Sequence, residues 1–423
     1  MNILSTLSNF ILASPSSYHA VAALGRRLDA AGFTRLRENE RWALTAGRGY
    51  YVTRNAAIIS FRLPEREVKS LHIIASHCDS PTFKLKPDPA LWSDGALRLN
   101  VEGYGGMIRR SWFDRPLSVA GRVLIEDGGV LRERLVYVDR DLLLIPSLAI
   151  HLSRDAAPSD KLSVQGELLP LLGLREDGFT RVLSEATGAA KEQIMGADLF
   201  LTCREKPTIW GADNEFFSAP RLDDLACVHA SFVGFLAAAP TEHVAVHAVF
   251  DNEEVGSRSQ QGAESDFLAA TMRRVCRALG ADDEGYAAIL ADSFLVSADN
   301  AHALHPSYAG KHDPINRPRL NGGVVLKHQA GQRYITDAVG EAVFKTICRR
   351  RNIPVQDFAN HSDVLGGSTL GCISVTQLSV RGVDVGLPQL AMHSAYETMG
   401  AHDAAALADF AEAFYSEPLP AVE

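Results

Sequence analysis

Two adjacent glutamates, Glu253 and Glu254, follow an almost wholly apolar run at residues 244–250. Runs that are apolar on both faces and rich in Val are typical of strands in a parallel sheet that helices cover. In open sheets of this kind, ligands bind beyond the carboxyl ends of the strands. Because successive side chains of an extended backbone point to opposite sides, one glutamate can bind a metal ion while the other faces a water molecule on that ion.

The same kind of side chain follows other predicted strands. A pair of divalent ions needs a carboxylate that bridges both, one or two further His or carboxylate ligands for each ion, and an open position for water. The sequence supplies such a set at strand ends or directly after them, which predicts a two-metal hydrolytic site. The candidate ligands are His77, Asp223, Glu254, Asp299 and His393.

Two further acids have candidate roles beside these ligands. Asp79 lies two residues after His77 and projects to the same side of an extended segment. It can therefore hold the imidazole in the tautomer that binds metal. Glu253 then remains as the general base that takes a proton from the attacking water.

Each of these residues, taken alone, also has an ordinary structural explanation. A single His after a strand is usually a hydrogen-bonded core residue, and His393 follows an apolar segment. Asp223 can cap the helix that follows it, and Asp79 and Asp299 can belong to turns. The adjacent glutamates can lie in a solvated loop. The residue pattern by itself therefore leaves both explanations open.

Composition limits the class of protein. The chain has 423 residues, which suggests two or three domains, and its 46% apolar and 22% charged content is that of a soluble globular protein. The net charge of −9 argues against a nucleic-acid partner, because no basic surplus faces the phosphates. No apolar run reaches the ~18 residues of a membrane span, and the N-terminus lacks the basic region of a signal peptide.

The six cysteines are scattered with no close pair. This usage is typical of reduced, buried thiols and not of a disulfide framework or a thiolate zinc site. We therefore predict a cytoplasmic protein without disulfides. The cysteines are Cys78, Cys203, Cys227, Cys276, Cys348 and Cys372.

The pattern of apolar and polar residues changes twice along the chain. Residues 1–85 and 197–423 alternate amphipathic helices with apolar strands, including consecutive strand-like runs at 286–291 and 294–298. Residues 86–196 contain short alternating segments separated by glycine turns, which is typical of antiparallel hairpins. The prediction is a helix-covered mixed-sheet α/β catalytic domain, formed by 1–85 and 197–423 and interrupted by an inserted β-rich domain at 86–196.

Five motifs together resemble the aspartyl aminopeptidase family of metallo-aminopeptidases, in the family's order and over almost the whole chain. They are His-Cys-Asp-Ser-Pro at 77–81, Pro-Arg-Leu-Asp at 220–223, Asp-Asn-Glu-Glu-Val-Gly-Ser at 251–257, Ser-Ala-Asp-Asn-Ala-His-Ala-Leu-His-Pro at 297–306 and Pro-Gln-Leu-Ala-Met-His-Ser at 388–394.

The resemblance implies a role for each candidate residue. One ion would be held by His77, Asp223 and Asp299, and the other by Asp223, Glu254 and His393, with Asp223 as the bridge. Glu253 would be the general base and Asp79 the residue that orients the imidazole. The two divalent ions would be zinc, although cobalt and manganese also accept these ligands. The substrates would be peptides with an N-terminal Asp or Glu.

The resemblance also implies how the chain assembles. The inserted domain would serve dimerisation, and dimers would build an assembly of twelve subunits. His151 would reach the active site of a neighbouring subunit, while His302 and Lys327 would line the substrate pocket. One residue departs from the family pattern: Asp224 stands where Asn is expected, which adds a charge beside the bridging carboxylate.

Two competing functions use the same residues. A two-metal phosphoesterase needs similar ligands, but the sequence shows no cationic cluster for a phosphate near them. A scaffold or cargo protein would keep the fold and the assembly without chemistry. Such a protein has no need of Glu253 or of five intact ligands, and metal analysis beside a peptidase assay separates these functions.

Overall fold

The structure is a computed structural model, and it describes residues 2–152 and 162–422. The first part of the chain contributes two helices that pack against a core and four strands. They are α1 (Ile3–Leu12), α2 (Ser17–Ala30), β1 (Thr34–Leu36), β2 (Gly49–Arg54), β3 (Ala57–Arg62) and β4 (Ser70–His77).

The middle of the chain is dominated by long strands with two helices after them. The elements are β5 (Thr82–Ser93), β6 (Ala96–Tyr104), β7 (Leu117–Asp127), β8 (Val130–Tyr137), α3 (Val164–Glu167), β9 (Leu171–Gly173), α4 (Gly178–Thr187) and β10 (Ile194–Cys203).

The last part of the chain returns to alternating helices and strands. The elements are β11 (Thr208–Trp210), β12 (Phe216–Ala219), α5 (Leu222–Ala237), β13 (His243–Phe250), α6 (Phe267–Ala278), α7 (Asp283–Ala291), β14 (Phe294–Ala298), β15 (Ala301–His302), β16 (Val324–His328), α8 (Ala338–Arg350), β17 (Val355–Ala359), α9 (Leu370–Gln377), β18 (Arg381–Gly386), β19 (Pro388–Leu390), β20 (Glu397–Gly400) and α10 (Asp403–Ser416).

A nine-stranded mixed sheet carries the site, with the order β1-β2-β3-β13-β4-β14-β18-β16-β17. Its central strands β13, β4, β14 and β18 are parallel, so their carboxyl ends lie at one edge of the sheet. Both faces are covered, because Ile74 packs into one apolar core and the preceding residue, Ile73, packs into another. The continuous apolar runs of these strands follow from burial on both faces.

A six-stranded antiparallel sheet holds the middle segment, in the order β8-β7-β10-β5-β6-β9. It has its own apolar core, which includes Phe83, Val119 and Leu201. The sheet begins at Thr82 and ends at Cys203, a few residues outside 86–196 on either side. The division into domains at 86 and 196 stays a prediction.

The predicted fold class is confirmed, since helices cover a mixed sheet and a second, β-rich sheet lies between its two halves in sequence. The strand predicted at 286–291 is wrong, because helix α7 occupies that segment. The Asp282 side chain accepts a hydrogen bond from the Gly285 amide at 2.8 Å and so caps the helix. Ala and Leu in the segment favour a helix as strongly as the apolar run favours a strand.

Two further predictions concern the cysteines and the membrane. All six cysteines are free; five are buried, as predicted, whereas Cys372 is half-buried. Within residues 2–152 and 162–422, each helix is too short or too polar to cross a bilayer.

Candidate metal centre

Three neighbouring parallel strands bring candidate ligands to one edge of the large sheet. His77 is the last residue of β4, and its Cα pairs with Phe250 at the end of β13. The turn that follows β13 carries Glu253 and Glu254. Asp299 follows directly after β14, and its amide donates a hydrogen bond to the Val385 carbonyl of β18. The shared strand direction therefore places these side chains together.

The other two ligands come from segments that leave the sheet. Asp223 lies in the first turn of α5, with non-helical backbone angles and a cis peptide bond to Asp224. His393 follows β19 with a positive φ of 68°. Asp223 is buried and His393 is half-buried.

The five predicted ligands converge in two groups that share Asp223. His77 Nε2 lies 3.6 Å from Asp223 Oδ1 and 3.8 Å from Asp299 Oδ1. His393 Nε2 lies 3.5 Å from Asp223 Oδ2 and 3.4 Å from Glu254 Oε1. Within each group, the ligand atoms all lie within 4.8 Å of one another.

The donor atoms of these groups fit a pair of cations. Asp223 Oδ1 and Glu254 Oε1 are buried and receive no hydrogen bond from the described residues. Leaving such oxygens without a partner is costly, so both are suited to a metal ion. The Nδ1 atoms of His77 and His393 lie 3.1 Å and 2.9 Å from backbone carbonyls. Protons on Nδ1 leave the Nε2 lone pairs directed at the shared carboxylate, which is the tautomer that binds metal.

The electrostatics of the site also favour bound cations. Burial would lower the pKa of the His77 imidazole, but Asp223, Asp299 and Asp79 raise it well above its usual value. The pKa of His393 is raised to about 10 in spite of burial, chiefly by Asp223 and Glu254. Closely packed carboxylates thus attract positive charge strongly at both groups.

Asp79 holds the turn that carries the two glutamates. Its Oδ1 accepts a hydrogen bond from the Glu253 amide at 3.1 Å, and its Oδ2 accepts one from the Glu254 amide at 3.2 Å. The same Oδ1 lies 3.4 Å from His77 Nδ1. Burial raises the pKa of Glu253 to about 8. The structure therefore brings Asp79 and Glu253 next to the two ligand groups.

Sequence reasoning missed Glu397, a buried acid that supports the shared carboxylate. Its Oε2 accepts a hydrogen bond from the Asp223 amide at 3.0 Å, and its Oε1 accepts one from the His393 amide at 2.6 Å. Burial raises the pKa of Glu397 to about 8. The sequence signal that could have indicated Glu397 is an acidic residue four positions after His393, in a segment whose pattern otherwise predicts a short strand.

Asp224, the residue that departs from the expected Asn, is fully buried. Its Oδ2 accepts a hydrogen bond from the His77 amide at 3.4 Å. Burial raises the pKa of Asp224 well above its usual value, which favours the uncharged form. An uncharged carboxyl resembles the amide of Asn in shape and charge, so burial opposes the extra charge expected from the sequence.

A cavity of about 340 Å³ opens beside the ligands, lined among others by Glu253, His302 and Lys327. Lys327 is buried, 2% exposed, and its ammonium lies 3.7 Å from Asp299 Oδ2. Although burial disfavours its charged form, Asp299 raises the pKa of Lys327. His151 does not line this cavity. It lies in the exposed turn Ile150–Leu152, in the part of the chain that forms the six-stranded sheet. Its predicted contact with a neighbouring subunit stays a prediction.

A sequence profile of the family described as aminopeptidase I zinc metalloprotease (M18) matches residues 10–415. A probable M18 family aminopeptidase 2 from Clostridium novyi is 42% identical over 409 residues, which cover 94% of each chain. The chain belongs to the M18 family of zinc aminopeptidases. This M18 enzyme is therefore a metallo-aminopeptidase, and the resemblance to the aspartyl aminopeptidase family is confirmed.

Solved structures of M18 enzymes share the whole fold. A structure of the Ape4 and Nbr1 complex is 34% identical with a TM-score of 0.93, and the match covers 98% of this chain and 85% of that one. The S. cerevisiae mApe1 dodecamer is 26% identical with a TM-score of 0.86, covering 98% and 96% of the two chains. Because the chain belongs to a peptidase family, the phosphoesterase and the scaffold protein are no longer candidate functions.

Proposed function

We propose that this M18 enzyme removes N-terminal Asp or Glu residues from peptides, with two divalent metal ions bound at the shared Asp223. The observation that carries the proposal is the division of this buried carboxylate, one oxygen to each ligand group. His77 and Asp299 would complete one position, and Glu254 and His393 the other. The ions would be zinc, with cobalt or manganese as chemically compatible alternatives.

Two ions bound there would polarise the scissile carbonyl and make water more acidic. The Glu253 carboxylate accepts the proton of the attacking water and then delivers it to the leaving amine. Asp79 keeps Glu253 in place through the backbone amide. His302, which lines the same cavity, can donate a hydrogen bond to the carbonyl oxygen as charge develops on it.

The preference for an acidic residue rests on Lys327. Its buried ammonium is the positive group that an aspartyl or glutamyl side chain would meet in the cavity. A charged hydrogen bond in a poorly solvated pocket discriminates strongly against an apolar side chain. Lys327 is thus proposed to select the substrate and, through its ion pair with Asp299, to stabilise the ligand set.

The assembly is proposed to be a dodecamer built from dimers, and the similar S. cerevisiae mApe1 structure is described as a dodecamer. Leu148, Ile150 and Leu152 are 63%, 70% and 76% exposed, and an apolar patch of this kind is typical of an interface between subunits. His151 lies within this patch and would reach a neighbouring active site. A cytoplasmic location stays a prediction that depends on the free cysteines.

The function is tested with aspartyl, glutamyl and leucyl derivatives of one chromogenic amine. We expect turnover of the two acidic substrates, loss of turnover after exhaustive chelation, and recovery when zinc is restored. Equal or better turnover of the leucyl substrate would reject the acidic preference while leaving the aminopeptidase intact. Full activity of protein shown by elemental analysis to be free of metal would reject the two-metal reaction.

A further inference from the structure

Tyr104 connects the six-stranded sheet to the metal centre. It is the last residue of β6, and its hydroxyl donates a hydrogen bond of 2.7 Å to Asp79 Oδ2. That carboxylate also accepts the amides of Glu253 and Glu254. A residue from the smaller sheet therefore completes the hydrogen bonds of the group that holds the proposed base.

The phenol of Tyr104 is itself fixed in direction. The Asn252 side-chain amide donates to its hydroxyl oxygen at 2.8 Å, and the Gln261 amide donates to Asn252 Oδ1 at 3.0 Å. The Tyr104 ring packs edge-on against Phe200, with ring centroids 5.6 Å apart. Asn252 occupies a lone pair of the hydroxyl oxygen. The hydroxyl proton is therefore directed at Asp79, and these neighbours offer it no competing acceptor.

The residues after Tyr104 contact the ligand group that contains Glu254 and His393. Gly105 has φ of +72°, and a Cβ placed on it would lie 3.1 Å from Glu254 Cβ. The Gly106 carbonyl lies 2.9 Å from His393 Nδ1, and the Ile108 amide donates to the His393 carbonyl at 2.9 Å. The short segment 104–108 thus contacts Asp79, Glu254 and His393 at once.

We propose that Tyr104 is a positioning residue for the reaction: it fixes Asp79, and through Asp79 it fixes Glu253 and the imidazole of His77. Segment 104–108 makes the catalytic geometry depend on how the six-stranded sheet packs against the nine-stranded one. This inference rests on the proposed roles of Asp79 and Glu253. It assigns a role in catalysis to a strand that supplies no ligand.

The decisive variant is Tyr104→Phe, which removes one hydroxyl and keeps the ring. Because loss of a residue that orients metal ligands typically costs 10-fold to 100-fold, we expect kcat to fall by about 10-fold and KM to change less than about twofold. Zinc affinity, measured by competition with a chromogenic chelator, should fall by about 10-fold. The metal measurement requires no substrate, so it tests the positioning role even if the acidic preference proves wrong.

The matched control is Tyr18→Phe. The Tyr18 hydroxyl donates to Asp198 at 3.1 Å, and both tyrosines line one cavity of about 260 Å³ beside Asp79. Tyr18 makes no contact with Asp79 in the described hydrogen bonds, so kcat and zinc affinity should stay within twofold of the original enzyme. A second variant, Asn252→Ala, removes the donor to Tyr104 without adding a charge beside Asp79. The double variant with Tyr104→Phe should lose less kcat than the product of the two single-variant losses, since both substitutions act through one chain of hydrogen bonds.

Three results would overturn the proposal. One is a Tyr104→Phe enzyme with kcat and zinc affinity within twofold of the original. Another is an equal loss in the Tyr18→Phe control, which would assign the effect to the cavity as a whole. The third is a fall in melting temperature and subunit assembly that accounts for the whole loss of kcat, which would make Tyr104 a residue of the fold alone.

Discussion

The ammonium of Lys327 lies 3.7 Å from Asp299 Oδ2, so the proposed specificity residue and a proposed metal ligand form one buried ion pair. Both side chains are poorly exposed, at 3% and 11%. Removing one partner of a buried pair leaves an uncompensated charge. The proposed substrate selection and the proposed metal binding would therefore be coupled through this ion pair.

Lys327→Met tests that coupling. We expect the ratio of kcat/KM for aspartyl over leucyl substrates to fall at least 10-fold, because the acidic side chain loses its charged partner. The metal-free variant should also lose about 3 kcal/mol of stability, and the zinc-loaded variant less, because the metal supplies the charge that Asp299 has lost. Substrate kinetics and thermal unfolding with and without zinc measure both effects.

Lys345→Met is the control for that variant. Lys345 pairs with Glu341 at 2.7 Å and Asp357 at 2.8 Å, neither of which belongs to the two ligand groups that share Asp223. Its loss should leave the substrate ratio unchanged. A Lys327→Met enzyme that retains its acidic preference would contradict the proposed role of Lys327.

Glu253 and Glu254 are neighbours with different predicted roles. Glu253→Gln should keep both metal ions and lower kcat by about 100-fold or more, since the general base is lost. Glu254→Gln should instead lose one of the two ions, because its Oε1 lies in the group of His393. Metal content per chain by elemental analysis, measured beside kcat, distinguishes the two. Equal metal loss in both variants would contradict the assignment of the base.

Gly105→Ala probes the contact between the segment after β6 and Glu254. The new Cβ would meet Glu254 Cβ at 3.1 Å and its carbonyl oxygen at 3.3 Å, and φ of +72° adds strain. We expect a loss of about 1 kcal/mol in stability from the backbone conformation, together with a clear loss of activity. Gly128→Ala is the matched control, because it has φ of +60° and nothing within 4 Å of the added Cβ. The Gly128→Ala enzyme should lose stability but no activity. If it were inactive as well, the loss of activity in Gly105→Ala could not be assigned to the contact with Glu254.

His247 predicts a pH dependence of stability. This imidazole is buried on β13 beside Ser231 Oγ at 3.0 Å, and burial lowers its pKa to about 3. Between that pKa and the ordinary value of about 6.5, the unfolded chain binds more protons than the folded one. The contribution of His247 to the free energy of unfolding is therefore complete above about pH 6.5. Below that pH it falls by about 1.4 kcal/mol per pH unit.

The His247→Gln variant isolates this contribution, since other titrating groups are common to both proteins. Between pH 7.5 and pH 5.0, the original enzyme should lose about 2 kcal/mol more unfolding free energy than the variant. Urea unfolding at the two pH values measures the difference. Identical pH dependence of both proteins would show that folding does not lower the pKa of His247.

Parallel strand direction explains how much of the site the sequence predicts. His77, Glu254 and Asp299 follow apolar runs, and strands buried on both faces carry such residues to one edge. Tyr104 and Glu397 escaped prediction because they act on carboxylates and backbone amides through contacts that depend on how two sheets pack. Helix α7 was mistaken for a strand since a short apolar run supports either element, and the Asp282 cap decides between them.

The proposed binding of two ions at Asp223 is tested most directly by a crystal structure of the zinc-loaded enzyme with anomalous data at the zinc edge. We expect two peaks in each subunit, one beside His77 and Asp299 and one beside Glu254 and His393, with an Asp223 oxygen next to each. A single peak, or peaks that do not share Asp223, would contradict it.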